Sequence, residues 1–457
     1  MIPPKPPARP DRVSLWRYLR LFRADILSAQ PARLYRAWMA EFRTPFFRSF
    51  MVNDPAVIRT VLNDRPLDFP KSERIGEGLR PLLGRSVFLT NGAEWQRQRR
   101  LIDPAFEGGR LRDTFPAMLD AARAMAARLQ PGRVEIEGEA SHAAADVIFR
   151  TLFTIPIDHA IAREVFEEFR TYQRTQPILN LAAFIPLPRW VPRFHRPATK
   201  AAAKRIRALI EGLVRDRQIL IAAGTAPDDL STKILMATDP ETGDSFDADE
   251  MVDQVAIFFL AGHETSASAL GWALYLLATH EDVQKEVATE AQAFMADPSF
   301  SSLSKLRLTR DVFREALRLY PPVPMMVREA VQEEPLRDRT ARRGDQIVLS
   351  PWHLHRQTRM WDGPDGFDPG RWQTDAGRES ARKAYMPFSA GPRVCTGAGF
   401  AMAEGVLLLA AVLAEWRVSP TDTVPVPEAH LTVRAKDGIW LNLDRRRRNE
   451  GSTISDE

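Results

Sequence analysis

The sequence predicts a mainly α-helical fold with a small β region, built as one domain over residues 1–457. Three observations carry this expectation. Apolar residues recur at three- and four-residue intervals through most of the chain. Strand-like patterns are confined to residues 47–51, 346–349 and 439–443. No internal repeat and no long Gly/Ser linker separates two units. The β region is expected near the N-terminal third.

In chain order, residues 14–29 read as a short basic amphipathic helix, and 53–63 and 111–129 as surface helices with apolar stripes. Helical stretches follow at 161–175 and 198–223. Between them, residues 183–197 are so dense in proline that they predict a loop, either a lid over a pocket or an ordinary surface loop. The longest helix is predicted from 248 to 279. Asp247 and Glu250 form a capping-box pattern at its start, and about 30 residues at 1.5 Å each give a length near 45 Å. Its middle, residues 255–261, is apolar all round and predicts burial. The polar run Gly262-His263-Glu264-Thr265-Ser266 then interrupts it, and polar groups there need a partner or a chemical role. Residues 1–12 and 446–457 read as flexible ends.

Composition narrows the function. Hydrophobic residues at 44%, charged at 27% and aromatic at 9% exclude disordered and fibrous classes. The 63 Lys+Arg nearly balance 59 Asp+Glu, leaving +4, which does not call for a nucleic-acid partner. The N-terminus lacks a signal-like apolar stretch. The longest apolar run, residues 405–414 between Glu404 and Glu415, falls short of the roughly 20 residues of a membrane span. The expectation is a cytoplasmic monomer without a membrane span.

The single cysteine, Cys395, excludes an intramolecular disulfide and any multi-thiolate metal site. A buried structural thiol, a nucleophile and a lone metal ligand remain open. Its setting is Phe388-Ser-Ala-Gly391-Pro-Arg393-Val-Cys395-Thr-Gly397, ahead of a helix beginning near Gly399. Glycines on both sides allow a tight turn, the helix N-terminus adds a positive dipole end, and Arg393 can meet an anionic group.

This segment resembles the haem-binding loop of cytochrome P-450 enzymes, F-x-x-G-x-R-x-C-x-G, at every specified position. Further family signatures occur in register. Ala261-Gly262-His263-Glu264-Thr265 resembles the oxygen-activation motif, and Glu315-Ala-Leu-Arg318 the E-x-x-R helix. Pro369-Gly-Arg371-Trp372 resembles the segment after that helix, and Trp95-Gln-Arg-Gln-Arg99 the haem-propionate helix. The resemblance implies the cytochrome P-450 fold, with haem b between a long central helix and the Cys loop. It implies Cys395 as the axial iron ligand, a cysteinate being a strong electron donor to haem iron. Phe388 is the aromatic residue that would shield the sulfur from water. Trp95, Arg99, Arg393 and Arg328 would hold the propionates. Arg328 rests on its position after the E-x-x-R helix.

On the central helix Phe258, Ala261, Gly262, Thr265 and Ser268 share one face. Thr265 is expected to bond the Ala261 carbonyl, and Glu264 with Thr265 to form an acid–alcohol pair that relays protons to dioxygen. Glu315, Arg318 and Arg371 would make a structural charge network. By family position, loops at 69–90, 179–190, 323–327 and 435–438 with Phe258 and Phe259 would border a hydrophobic substrate, and Lys71, Arg74 and Arg80 are candidates to grip a carboxylate on it. The implied activity is O2-dependent monooxygenation. No flavin, iron–sulfur or G-x-G-x-x-G segment is seen, so electrons are expected from a ferredoxin or flavodoxin with its NAD(P)H reductase. Such a partner would dock near Arg97, Arg100, Arg110, Arg382 and Lys383.

Overall fold

Residues 2–43, 48–107, 109–175 and 196–446 are described by a computed structural model of the chain. The longer helices are α1 (Leu15–Ala24), α2 (Gly92–Ile102), α3 (Arg110–Arg128), α4 (Ile136–Phe153) and α5 (Ala160–Thr175). They continue with α6 (Pro197–Ala222), α7 (Ala248–Ala278), α8 (Glu281–Ala296), α9 (Arg307–Leu319) and α10 (Ala398–Glu415). Most of the predicted loop at 183–197, and the pocket border at 179–190, lie outside the described residues. Helix α1 is shorter than expected because Asp25 ends it, its backbone extended and its carboxylate accepting from Leu27 and Ser28 N–H.

The α7 helix forms as its sequence dictates. Asp247 accepts from Glu250 N–H at 2.7 Å, and the Glu250 carboxylate accepts from Asp247 N–H at 3.2 Å, so two otherwise unmet donors are satisfied reciprocally. The N-terminal half of α7 packs into one core with α4, α5 and α6, and its C-terminal half into another with α3, α4 and α8–α10. Between the two halves, only Phe258, Ala261, Gly262 and Thr265 of residues 251–278 are not buried. Their spacing of three and four residues places them on one face. Ser268 belongs elsewhere: it is buried and donates to the Val433 carbonyl.

The β region is not confined to the N-terminal third. Strands β1 (Met39–Arg43) and β2 (Arg48–Val52) are antiparallel. The sheet is completed by β4 (Met326–Glu329) and β5 (Gln346–Leu349), with β2 and β5 parallel and β4 antiparallel to β5. A second sheet joins β3 (Gly132–Glu135) and β6 (Trp416–Pro420) to β9 (Trp440–Arg445), and β7 (Pro427–Ala429) pairs with β8 (Val433–Ala435). Both sheets need partners far apart in sequence, which local patterning does not show. Residues 4–9, expected within a loose end, are tied to the body: Tyr320 Oη donates to the Pro4 carbonyl at 2.8 Å and Arg9 Nε to the Ala29 carbonyl at 2.6 Å.

Helix α10 is, among the described residues, the one helix long and apolar enough to cross a membrane. It extends the apolar run of the sequence by starting at Ala398, and 61% of it is buried, as a core helix packed on α3, α8 and α9.

The Glu315–Arg318–Arg371 network is present and fully buried at its centre. Arg318 donates to both Glu315 oxygens at 2.8 and 2.9 Å and spends its remaining donors on the His355, Pro364 and Gly366 carbonyls. Arg371 Nε donates to Glu315 at 2.9 Å. His355 carries the network onward: it contacts the Arg318 carbonyl through Nδ1 and accepts from Met386 N–H through Nε2 at 3.0 Å. Met386 lies just before the Cys395 loop. Glu315→Gln leaves two buried guanidinium groups without their counter-charge, so it is expected to destabilise the fold by about 3–5 kcal/mol in urea unfolding. A loss below about 1 kcal/mol would show that the network is not structural.

Candidate cofactor and active site

The Cys395 loop is closed at its base, Cys395 N–H donating to the Phe388 carbonyl at 2.9 Å. Gly391 has φ +67°, and a Cβ there would collide with the Leu62 carbonyl, so conformation and close approach both require glycine. Cys395 is exposed where it lines a cavity of about 1590 Å³, with Phe388 beside it. Enough protein surrounds the thiol for burial to push its pKa up, and Gly397 N–H and Arg99 offset this only in part. The loop positions the sulfur; a bound metal ion is what would deprotonate it.

One wall of the same cavity gathers cations. Lys71, Arg99, Arg328 and Arg393 all line it, with the Trp95 ring between Arg393 at 5.1 Å, Lys71 at 5.7 Å and Arg99 at 5.9 Å. Arg99 pairs with Asp103 at 2.7 Å and donates to the Val394 carbonyl. Lys71, Arg328 and Arg393 have no carboxylate partner among the described residues. Lys71 reaches only the Val87 and Thr90 carbonyls. Arg393 holds the Pro66 and Phe69 carbonyls, and the Nε atoms of Arg328 and Arg393 are buried without a partner. Burial, then Arg393, lowers Arg328 to about 10, and burial followed by the neighbouring arginines pushes Lys71 well below an ordinary lysine. Uncompensated buried charges are costly unless an anion meets them.

Opposite lies the open face of α7. Thr265 Oγ1 donates to the Ala261 carbonyl at 2.6 Å, as the sequence implies. A Cβ on Gly262 would run into Ile148 of α4, so this glycine also serves helix packing. Glu264 is buried in an ion pair with Arg434 at 2.5 Å and accepts from Thr432 at 2.5 Å and Gln173 at 3.0 Å. It lines both the main cavity and a polar chamber of about 220 Å³ beside α4.

Comparison with known proteins agrees with this geometry. The family profile "Cytochrome P450" matches residues 38–441. The chain belongs to the cytochrome P450 family. It is 34% identical to cyclooctat-9-en-7-ol 5-monooxygenase of Streptomyces melanosporofaciens, over 84% of this chain and 83% of that one. It is 30% identical to cytochrome P450 4A10 of Mus musculus, over 86% and 81% of the two chains. The crystal structure of a mutant cytochrome P450DA heme domain superposes with TM-score 0.79 at 26% identity, covering 98% of both chains. This P450 is thus an oxidoreductase of the monooxygenase class, and haem is the family's cofactor. The residues fit that group: the cavity joins one cysteine to a wall of cations of which Arg328 and Arg393 are buried and have no carboxylate partner among the described residues, as suits a ligand bearing carboxylates.

Several expectations are corrected. Lys71, read as a substrate-carboxylate candidate, lies on the cavity wall beside Trp95 with Arg99, Arg328 and Arg393. Arg80 is exposed and pairs with Glu77 at 3.0 Å. Phe259 packs among Phe149, Phe153 and Phe169, away from the cavity that Phe258 lines. The basic docking face is mostly neutralised: Arg97 pairs with Glu250, Arg100 with Asp239, Arg110 with Asp113 and Lys383 with Glu379. Only Arg382 of that set makes no ion pair among the described residues. Glu404 went unnoticed, appearing merely as the end of an apolar run. It lines the cavity, accepts from Ser266 at 2.7 Å and keeps a buried, unpartnered Oε1, and burial raises its pKa to about 8.

Two outcomes are expected. Lys71→Met relieves repulsion within the wall and removes a cation that carboxylates of a bound haem would meet. It should therefore raise apoprotein stability by about 1 kcal/mol yet speed haem loss to apomyoglobin about tenfold; a change of one sign in both would contradict the shared site. For Glu404, a carboxyl raised in the folded state contributes stability that is complete below pH 4.5 and lost as pH rises to about 8. Glu404→Gln should gain on wild type by up to about 4 kcal/mol between pH 5 and 8, then run parallel above it. Parallel stability curves across that whole range would show that Glu404 is not held neutral.

Proposed function

We propose that this cytochrome P450 inserts one oxygen atom from O2 into a hydrophobic small molecule of the fatty-acid, terpenoid or aromatic class. Electrons come from a separate ferredoxin or flavodoxin and its NAD(P)H reductase. The observation that carries the reading is the single cavity that joins Cys395, the cation wall and Thr265 to an apolar lining. Cys395, Trp95, Arg99, Arg328, Arg393 and Lys71 would hold haem b, which would supply dioxygen activation when bound.

The chain's own residues do the rest. Phe258, Val323, Met325 and Met326 line the cavity and exclude water around an apolar substrate. Phe106 lies against Phe258, ring centroids 5.8 Å apart, and stiffens that wall. The Thr265 hydroxyl, now donating to Ala261, can rotate its proton toward the cavity while its lone pairs accept another. Glu264 carries protons between the polar chamber and the cavity, and Arg434, Thr432 and Gln173 hold its carboxylate until it exchanges. Arg382 offers a docking contact to an acidic electron donor. The Streptomyces relative's named activity, a monooxygenase acting on cyclooctat-9-en-7-ol, supports the reaction class.

Thr265→Ala should leave haem content and substrate affinity near wild type while diverting reducing equivalents to hydrogen peroxide, lowering product per NAD(P)H by about tenfold. Glu264→Gln should slow oxygen consumption itself. Coupling as tight as wild type in both variants would reduce these residues to a structural role. Purified protein given NAD(P)H alone should turn over negligibly, and ferredoxin with its reductase should restore product; robust turnover without them would refute the separate electron donor.

A further inference from the structure

The polar chamber of about 220 Å³ beside α4 holds an acid that nothing above uses. Among the described residues, Glu135, Glu137 and Glu264 are the carboxylates that line it. Glu135 is spent on capping α4, its oxygens accepting from Glu137, Gly138 and Ile439 N–H at 3.0, 2.8 and 3.1 Å. Glu264 is spent in its pair with Arg434 and in the bonds from Thr432 and Gln173. Glu137 makes no ion pair among the described residues, and its carboxylate receives one long hydrogen bond, from Ala435 N–H at 3.4 Å.

Position separates Glu137 from the other two. Glu264, Arg434 and Gln173 line both the chamber and the main cavity, so the ion pair stands at the partition between them. Glu137 lines the chamber alone, its stem against Gly271, about two turns along α7 from Glu264. The other charged and titratable groups facing the chamber are Glu135, Arg170, His263, Glu264 and Arg434. Arg170 pairs with Glu167 at 3.4 Å. His263 meets Ser141 Oγ through Nε2 at 3.0 Å, and burial lowers it to about 4, which keeps it neutral. Burial, offset by Arg434 and reinforced by Glu135 and Glu264, raises Glu137 to about 7. An unspent acid that takes up and releases a proton near neutral pH suits exchange with solvent.

We propose that Glu137 is the outer acid of the proton route, taking protons from water in the chamber and passing them to Glu264. This role extends the relay through Glu264 and depends on it. Only protons move. A hydronium O–H bond breaks as a Glu137 O–H bond forms. That bond breaks in turn as a chamber water hands the proton to Glu264, while Arg434, 42% exposed, swings aside. No electron changes place. Glu137 acts through Glu264 and meets neither substrate nor haem.

The test is oxygen uptake by the haem-loaded protein with ferredoxin, its reductase and NAD(P)H, with lauric acid as the hydrophobic probe. Glu137→Gln should run about threefold slower than wild type near pH 6 and converge with it near pH 8, where wild type has lost that proton too. Glu137→Asp should restore the wild-type profile in part. Glu139→Gln should match wild type, because Glu139 pairs with Arg128 outside the chamber. Infrared titration of the resting protein reads the same acid without turnover. Wild type minus Glu137→Gln should show one carboxyl losing its proton near pH 7, and at lower pH once Glu264 is replaced by Gln, since a neighbouring negative charge is gone. Equal pH profiles for Glu137→Gln and wild type while Glu264→Gln is slow, or no such carboxyl near pH 7, would overturn the role of Glu137 alone. An unslowed Glu264→Gln would instead overturn the relay on which it depends.

Discussion

Positive charge gathered on one cavity wall, without enough negative charge among the described residues to meet it, is the constraint around which this molecule is arranged. Lys71, Arg99, Arg328 and Arg393 come from four separate segments and converge on one cavity wall, and among the described residues Asp103 is the single carboxylate paired with them. A fold selected only for stability would not bury such a set. Each cation is held by something else: Arg393 by the Pro66 and Phe69 carbonyls, Lys71 by those of Val87 and Thr90, Arg328 by its place in β4. These carbonyls set the direction in which Arg393 and Lys71 face the cavity.

The rest of the structure keeps that wall and the Cys395 loop in register. The Glu315–Arg318–Arg371 cluster satisfies every Arg318 donor and fixes the chain at residues 362–368, while His355 links the Arg318 carbonyl to Met386. Thr396 donates to Asp103, which also receives Arg99, so the loop after the cysteine is tied directly to the cation wall. On the far side, α7 is anchored in two cores and exposes only a narrow face between them. These three supports hold the cavity in one position between the Cys395 loop and α7.

How much of this was legible in the sequence depended on how local the cause was. The α7 cap, the Thr265–Ala261 bond and the Glu315–Arg318 pair all act within a helical turn or two, and the residues alone implied them. What escaped were consequences of distant partners. Lys71 read as a candidate for a substrate carboxylate because its place beside Arg328 depends on a bridge between distant segments. Glu264 read as half of an acid–alcohol pair with Thr265, and the residue that pairs with its carboxylate, Arg434, lies 170 positions away. The docking face looked basic because a sequence shows Arg97 and Arg100 but not that Glu250 and Asp239 neutralise them. Glu404 was invisible for the same reason: its neighbours in sequence are apolar, and its partner, Ser266, sits on another helix. The parallel pairing of β2 with β5 likewise joins segments nearly 300 residues apart.

The central claim is that this wall and this thiol hold one haem, with Cys395 as its thiolate ligand. Spectroscopy of the reduced protein under carbon monoxide tests it most directly. The account predicts the strongly red-shifted absorbance of a thiolate-ligated carbonyl complex in wild type and its disappearance in Cys395→Ala, with the fold intact by circular dichroism. A wild-type complex with the absorbance of a histidine- or water-ligated haem, or a Cys395→Ala protein that keeps the red-shifted band, would contradict it.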